Sequence, residues 1–167
     1  IELIYVTLSA WNMNQRGARL AEFNIFYDSI IKNQKSLSEL QEYELNKISD
    51  NEFNILMNIC KGLFENLELI PRKEKPPKLV TYSKTLHFIA PKLIVPIDRK
   101  YTLTFFRNNA MYDNKKSFEL FYEFHKRFKL ISQKLDLNQY VDNNWNLTIP
   151  KVIDNIIIGY VKKQGVV

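Results

Sequence analysis

One part of the chain holds the side chains best suited to chemistry. Residues 83–88 read Ser-Lys-Thr-Leu-His-Phe, and residues 96–102 read Pro-Ile-Asp-Arg-Lys-Tyr-Thr. Lys84 could act as a nucleophile where burial or nearby positive charge favours its neutral amine, and Asp98 could stabilise developing positive charge. A catalytic pair of Lys84 and Asp98 is therefore one hypothesis. In the alternative, Lys84 is an exposed surface lysine and Asp98 caps a helix.

Positive charge is concentrated in the same region. The whole chain has a formal net charge of +6, yet residues 71–107 contain nine Lys and Arg against two acids, Glu74 and Asp98, a net +7. Such a surplus would attract a polyanion, of which nucleic acid is the commonest, and we expect DNA as the partner. The expected phosphate-contacting residues are Lys78, Ser83, Lys92, Arg99 and Lys100. A solvated lysine-rich surface with no such partner is the alternative.

Two family resemblances rest on these residues. The Lys-Thr-Leu-His run at 84–87 and the Pro-Ile-Asp-Arg-Lys-Tyr-Thr run at 96–102 resemble an uncharacterised bacterial family, whose members also end like Lys-Val-Ile-Asp-Asn at 151–155. That resemblance covers most of the chain and implies no known activity. The order of Lys84-Thr85 and Asp98 also resembles the helix-hairpin-helix DNA glycosylases.

The glycosylase resemblance implies both a fold and a mechanism. It places the hairpin at residues 79–83 and a helix-hairpin-helix-like segment over residues 79–106. It also implies that the base is flipped out of the duplex, that Lys84 attacks the sugar C1′ to form a Schiff base, and that Asp98 supports the charge at the sugar.

The remaining candidate residues have simpler interpretations. We expect His87 to be a core histidine bonded to a carbonyl, and His125 has no partner at metal-ligand spacing, so neither a metal nor a cofactor is predicted. We favour an ion pair for Arg99. The turns at residues 11–17 and 143–146 each combine a tryptophan with amide side chains, so each is either a ligand-binding loop or a core anchor beside a simple turn.

Helical periodicity dominates the rest of the chain. Apolar residues recur at spacings of three and four in four segments, residues 18–31, 53–67, 118–131 and 152–161. Capping boxes predict helix starts at Ser36 with Glu39 and at Ser49 with Glu52, and Thr148 followed by Pro150 predicts a further start.

Shorter elements complete the predicted fold. We favour a helix for residues 1–10, a loop for 72–78, a short helix for 81–90 and another that begins at Asp98. The expected fold is all-α, a single domain of residues 1–167 built as a bundle of about seven or eight helices.

Composition and length limit the class of protein. With 46% hydrophobic residues the chain of 167 residues can bury a core, and its one cysteine excludes a disulfide framework. We therefore expect a cytoplasmic protein that does not enter a membrane. DNA binding is the favoured function, with or without catalysis. A non-catalytic protein-interaction or scaffolding module, which could form a homodimer, is the alternative.

Overall fold

The computed structural model describes residues 1–13, 19–71 and 77–165, with residues 12 and 13 as backbone only. Over these ranges the chain forms eight α-helices and no β-strand. They are α1 Glu2–Leu8, α2 Phe23–Lys32, α3 Gln34–Gln41, α4 Asp50–Asn66, α5 Lys78–Ile89, α6 Thr102–Arg107, α7 Ser117–Lys134 and α8 Ile149–Lys163. The predicted all-α architecture is confirmed. None of these helices is long and apolar enough to cross a membrane.

The buried apolar side chains form one cluster at the centre of the bundle. Helix α5 packs against α1, α3 and α7, while α8 packs against α6 and α7. The ring of Phe64 in α4 lies within 5.5 Å of the rings of Tyr82, Phe118 and Phe121. Aromatic pairs at such distances add to the stabilisation from burial, so these contacts fasten α4, α5 and α7 together.

Two of the three predicted helix starts are confirmed. Glu52 accepts from the backbone N–H of Ser49 at 2.8 Å and donates its own N–H to Ser49 Oγ at 3.2 Å, which forms the expected capping box of α4. The Thr148 hydroxyl caps α8 by accepting from Lys151 N. The start predicted at Ser36 is wrong, because Ser36 lies inside α3, whose N-cap residue is Asn33.

The predicted helix over residues 1–10 is confirmed as α1, which a π-helical turn, Ser9–Met13, follows. Helix α2 starts at Phe23, five residues later than its apolar pattern suggests, and residue 18 lies outside the described part. The backbone N–H of Ala21 donates to the carbonyl of Leu69 at 2.9 Å. A tertiary hydrogen bond therefore competes with helix formation there.

The hairpin expected at residues 79–83 is wrong, because all five residues lie inside α5. Helix α5 begins at Lys78, three residues before the predicted start, and the loop expected before it falls largely on residues 72–76, outside the described residues. Helix α6 begins at Thr102 rather than directly after Asp98. Between α5 and α6 the chain runs through a non-helical segment that carries Asp98 at its end.

Candidate functional site

The segment that leads to Asp98 is the connection of residues 90–97, here called the connector, and it is buried from residue 93 to residue 97. Ile94, Val95 and Ile97 in it are 0% exposed. Buried backbone groups need hydrogen-bond partners, and two N–H groups of the connector find theirs in side chains of α5 and α7. Ser83 Oγ accepts from Ile97 N at 3.0 Å, and His125 Nε2 accepts from Val95 N at 3.2 Å. The path of the chain into Asp98 is thereby fixed.

His87 completes this set, since its Nδ1 lies 2.7 Å from the carbonyl oxygen of Ile94. The predicted core role of His87, bonded to a carbonyl, is confirmed. Burial lowers the pKa of His87 to about 4, and the charge of Lys151 acts in the same direction. Burial likewise lowers the pKa of His125 to about 4. Because His125 Nε2 accepts a hydrogen bond, its proton sits on Nδ1, which donates to Phe121 O at 2.9 Å.

The connector changes the interpretation of Ser83. Ser83 is 0% exposed, and its hydroxyl donates to Val80 O at 3.0 Å while it accepts from Ile97 N. Because this hydroxyl is buried and both its donor and its acceptor are already used, it cannot contact a phosphate group of a bound nucleic acid. The expectation that Ser83 contacts nucleic acid is therefore corrected, and its role is to hold the connector.

Lys84 and Asp98 meet at the end of the connector. Lys84 Nζ lies 3.3 Å from Asp98 Oδ2, and the two side chains are 13% and 25% exposed. The other oxygen, Asp98 Oδ1, accepts from Lys100 N at 2.8 Å and from Tyr101 N at 3.4 Å. Asp98 thus caps the turn that leads into α6 and pairs with Lys84 at the same time.

Trp11 covers the lysine of this pair. Lys84 Nζ lies 5.1 Å from the centre of the Trp11 ring. The centre of the Phe88 ring, four residues further along α5, lies 5.2 Å from the centre of the Trp11 ring. The indole remains 42% exposed. The π-helical turn that follows α1 positions it, and such turns are frequent at functional sites. The rest of the binding loop expected at residues 11–17 lies outside the side chains that the structure describes.

Helix α8 contributes a second ion pair. Lys151 Nζ lies 2.6 Å from Asp154 Oδ2, and Asp154 is buried. Burial raises the pKa of Asp154, the charge of Asp98 adds to that effect, and the charges of Lys151 and Lys84 oppose it. The two Lys–Asp pairs therefore lie within electrostatic range of each other. Partly buried charges are costly, and they cluster at functional sites.

Sequence reasoning missed the second pair. Residues 151–155 mattered only as part of a family resemblance, and their distance along the chain hid their proximity to Lys84. One local signal was present, because Asp154 interrupts the apolar stripe to which Ile153 and Ile157 belong. This position indicates a carboxylate that faces the core. An inward carboxylate needs a partner from its own helix or from a neighbour.

Two of the expected phosphate-contacting lysines are engaged within the protein. Lys78 Nζ donates to the carbonyl of Phe64 at the end of α4 and lies 5.1 Å from the Tyr82 ring, and burial lowers its pKa. Lys92 is 63% exposed and pairs with Glu44 at 3.4 Å. Neither ammonium group is as free to meet a phosphate as the charge pattern suggests.

Arg99 and Lys100 are exposed beside the Lys84–Asp98 pair. Arg99 Nη2 contacts Met111 Sδ at 3.5 Å, and the favoured ion pair is not found among the described residues. Lys100 Nζ lies 5.7 Å from the Tyr101 ring, and Lys162 Nζ of α8 lies 5.9 Å from the same ring. In the described part of the chain neither lysine has an acidic partner. Sequence reasoning missed Lys162 because it lies far outside residues 71–107.

No protein-family model matches the chain, and no curated protein or solved structure matches it. Interpretation of the site therefore rests on its own chemistry. Over the described residues no three His, Cys, Asp or Glu side chains come together as a set of metal ligands. What the site offers is an amine beside a carboxylate, an aromatic face over that amine, and basic groups at its edge that have no acidic partner in the described part of the chain.

Proposed function

We propose that this chain is a DNA-binding protein whose Lys84–Asp98 pair receives a damaged or abasic nucleotide, as a relative of the helix-hairpin-helix base-excision glycosylases. The observation that carries the proposal is the meeting of Lys84, Asp98 and the exposed face of Trp11. Flipped bases and sugars are held by aromatic faces, and an amine next to a carboxylate suits attack at C1′. The predicted cytoplasmic location is part of the same proposal.

The simplest chemistry for the pair is imine formation at an abasic sugar. In its neutral form the Lys84 amine adds to the aldehyde carbon C1′, and loss of water then gives a C=N bond to the lysine. Asp98 is placed to take the proton that the Lys84 ammonium must first lose and to give it to the hydroxyl group that leaves as water. Asp98 is then a carboxylate again and stabilises the positive imine.

Phosphate contacts would come from the basic groups that have no acidic partner among the described residues. Lys100 and Lys162 at the Tyr101 ring and Arg99 beside Met111 fulfil this condition. Like charges that converge without counter-charges repel one another, and a bound polyanion removes that repulsion. These side chains border the turn that holds Asp98, so they would place the DNA backbone next to the pair.

The first test is DNA binding itself. Fluorescence anisotropy of labelled duplexes, one intact and one with a central abasic site, is measured against protein at several salt concentrations. We expect affinity to fall steeply as salt rises and to be greater for the abasic duplex. Absence of binding at low salt would reject the proposal.

The second test isolates the chemistry of Lys84. The abasic duplex is incubated with protein and borohydride, which reduces an imine to a stable covalent bond. We expect a trapped complex with the wild type and with Lys61→Arg, a control on the exposed surface of α4, but not with Lys84→Arg. Lys84→Arg keeps the positive charge, so its DNA binding should be nearly unchanged. Equal trapping by Lys84→Arg would leave a DNA-binding protein without this chemistry.

A further inference from the structure

A groove lies between the C-terminal end of α7, the loop of residues 136–148 and the first half of α8, and we call it the α7–α8 groove. Its volume is about 620 Å³. Its apolar lining consists of Leu135, Leu137, Tyr140, Val152 and Ile156. Three of these, Leu135, Tyr140 and Ile156, are 56%, 54% and 48% exposed. Large apolar side chains that share one exposed concave surface are characteristic of an interaction site.

Trp145 is on the loop that borders the groove, and it is 80% exposed. The loop is held in one shape, because Asp142 Oδ1 accepts from the backbone N–H groups of residues 144, 145 and 146 at 2.7, 2.8 and 3.0 Å. Asn155 of α8 also donates to Asn146 Oδ1 at 2.7 Å. The backbone that carries Trp145 is therefore ordered before a partner binds, and less conformational freedom is lost when the partner covers it.

The lining of the groove contains one acidic residue, Asp136, and no Lys or Arg, while Lys134 ends α7 next to it and Lys151 lies in the first turn of α8. Residues 135–148 contain Asp136 and Asp142 and no Lys or Arg, in a chain of net charge +6. Asp142 is committed to the loop backbone, whereas Asp136 lines the groove. Such a face disfavours phosphate and favours a partner with positive groups next to its apolar ones.

We propose that the α7–α8 groove is a docking site for an apolar peptide segment of a partner protein, flanked in that partner by Lys or Arg. Trp145 and Tyr140 are the expected anchors, since Trp and Tyr dominate the binding energy of protein interfaces. The apolar part of the peptide lies against Leu137, Val152 and Ile156, and its basic flank faces Asp136. This docking site is independent of the DNA-binding proposal.

The test starts with a phage-displayed library of random twelve-residue peptides, selected on the immobilised full chain. Enriched peptides are synthesised with a fluorescent label, and their affinities are measured by anisotropy. We expect them to combine large apolar residues with Lys or Arg. Trp145→Ser and Ile156→Ser should each weaken binding by about tenfold or more. The control Ile55→Ser should have no effect, because Ile55 is 49% exposed, like Ile156, but lies on α4.

Several outcomes would overturn the proposal. These are a selection without enrichment, enriched peptides that bind Trp145→Ser as well as the wild type, and peptides rich in Asp or Glu. If light scattering shows a wild-type dimer that Trp145→Ser converts to a monomer, the occupant is a second copy of this chain. If Trp145→Ser weakens binding of duplex DNA, the surface belongs to the nucleic-acid interface instead. Loss of DNA binding through Lys84 or Lys100 variants has no bearing on this result.

Discussion

Ser83, His87 and His125 each give a polar side chain to the backbone of the connector, and Asp98 is the residue that this arrangement positions. One oxygen of Asp98 caps the following turn, and the other meets Lys84. Asp98 therefore has both of the roles that the sequence suggested for it, a cap and a partner of Lys84. Substitutions can separate them, since the cap needs only an acceptor whereas the ion pair needs a charge.

We predict different costs for two substitutions of Asp98. Asp98→Asn keeps an oxygen for Lys100 N and loses the charge opposite Lys84, and should lower the free energy of unfolding by less than about 1 kcal/mol. Asp98→Ala also removes the acceptor, and should cost about 1–2 kcal/mol. Urea unfolding followed by circular dichroism measures both. Equal losses would mean that the cap contributes nothing to stability.

Acid sensitivity is predicted from the two buried histidines. The pKa of His87 and of His125 is about 4 in the folded protein, against 6.5 for an unperturbed histidine. The unfolded chain therefore binds more protons between these values, so stability falls as the pH decreases from about 6.5 toward 4, by on the order of 3 kcal/mol per histidine. Besides burial, the charge of Lys151 lowers the pKa of His87, and a positive charge on His87 lowers the pKa of His125.

Denaturant midpoints at pH 7, 6 and 5 test this, because the ionised carboxylates titrate mostly below that window. His125→Leu should be less stable at pH 7, since Val95 N is left without its acceptor, and should show about half of the pH dependence. A wild-type midpoint that does not change from pH 7 to pH 5 would contradict the prediction.

At the scale of elements, local signals decided where α4 begins but not where α3 begins. Both Ser36 and Ser49 precede a glutamate by three residues, yet only Ser49 occupies an N-cap position. The break before α3 falls at Asn33, whose Nδ2 donates to Ser29 O at 2.9 Å in the preceding helix. That side chain ends α2, and α3 starts at once, before Ser36 is reached.

A matched pair of substitutions follows from this contrast. Ser49→Ala should lower the free energy of unfolding by about 1 kcal/mol, because the Glu52 N–H loses its acceptor. Ser36→Ala should change it by less than about 0.5 kcal/mol in either direction, since alanine is favoured inside a helix. Thermal unfolding of the two variants beside the wild type compares them. A larger loss for Ser36→Ala would contradict the assignment of α3.

Long helices could be predicted because their signals are local: an apolar stripe and a cap lie within one segment, as in α4 and α8. The connector could not, since its backbone partners His125 and Ser83 come from helices that the sequence does not place beside it. The proximity of the Lys151–Asp154 pair to Lys84 was hidden for the same reason. Residues 79–83 show the limit of a resemblance, because their own helical pattern decides their structure.

At the scale of the whole molecule, the chain carries a basic region and an acidic apolar one. Lys100 and Lys162 lie near the Tyr101 ring and Arg99 contacts Met111, all three without acidic partners among the described residues. The α7–α8 groove has Asp136 and no Lys or Arg in its lining. The linear sequence shows the first only in part, because Lys162 joins it through the packing of α8 on α6. The two proposals therefore assign DNA and a protein partner to different residues.

Neighbouring lysines on α8 test the extent of the basic region. Lys162→Gln should weaken DNA binding and reduce the slope of log affinity against log salt by about one, the value for one lost phosphate contact. Lys163→Gln removes the same charge one position along the helix, roughly 100° around it, and should change the slope less. Identical slopes for the two variants would argue for a diffuse charge effect instead of a contact at Lys162.

The connector also has a consequence for hydrogen exchange. The amides of Val95 and Ile97 belong to no helix, yet each is hydrogen-bonded to a side chain and completely buried. Their protons can exchange with deuterium only when the bundle opens as a whole, so they should persist in heavy water as long as those of the central helices. In the wild type these two amides in an irregular segment thus report global opening. In a variant, exchange at them that is faster than in the central helices would reveal a connector displaced at Asp98 while the helices remain folded.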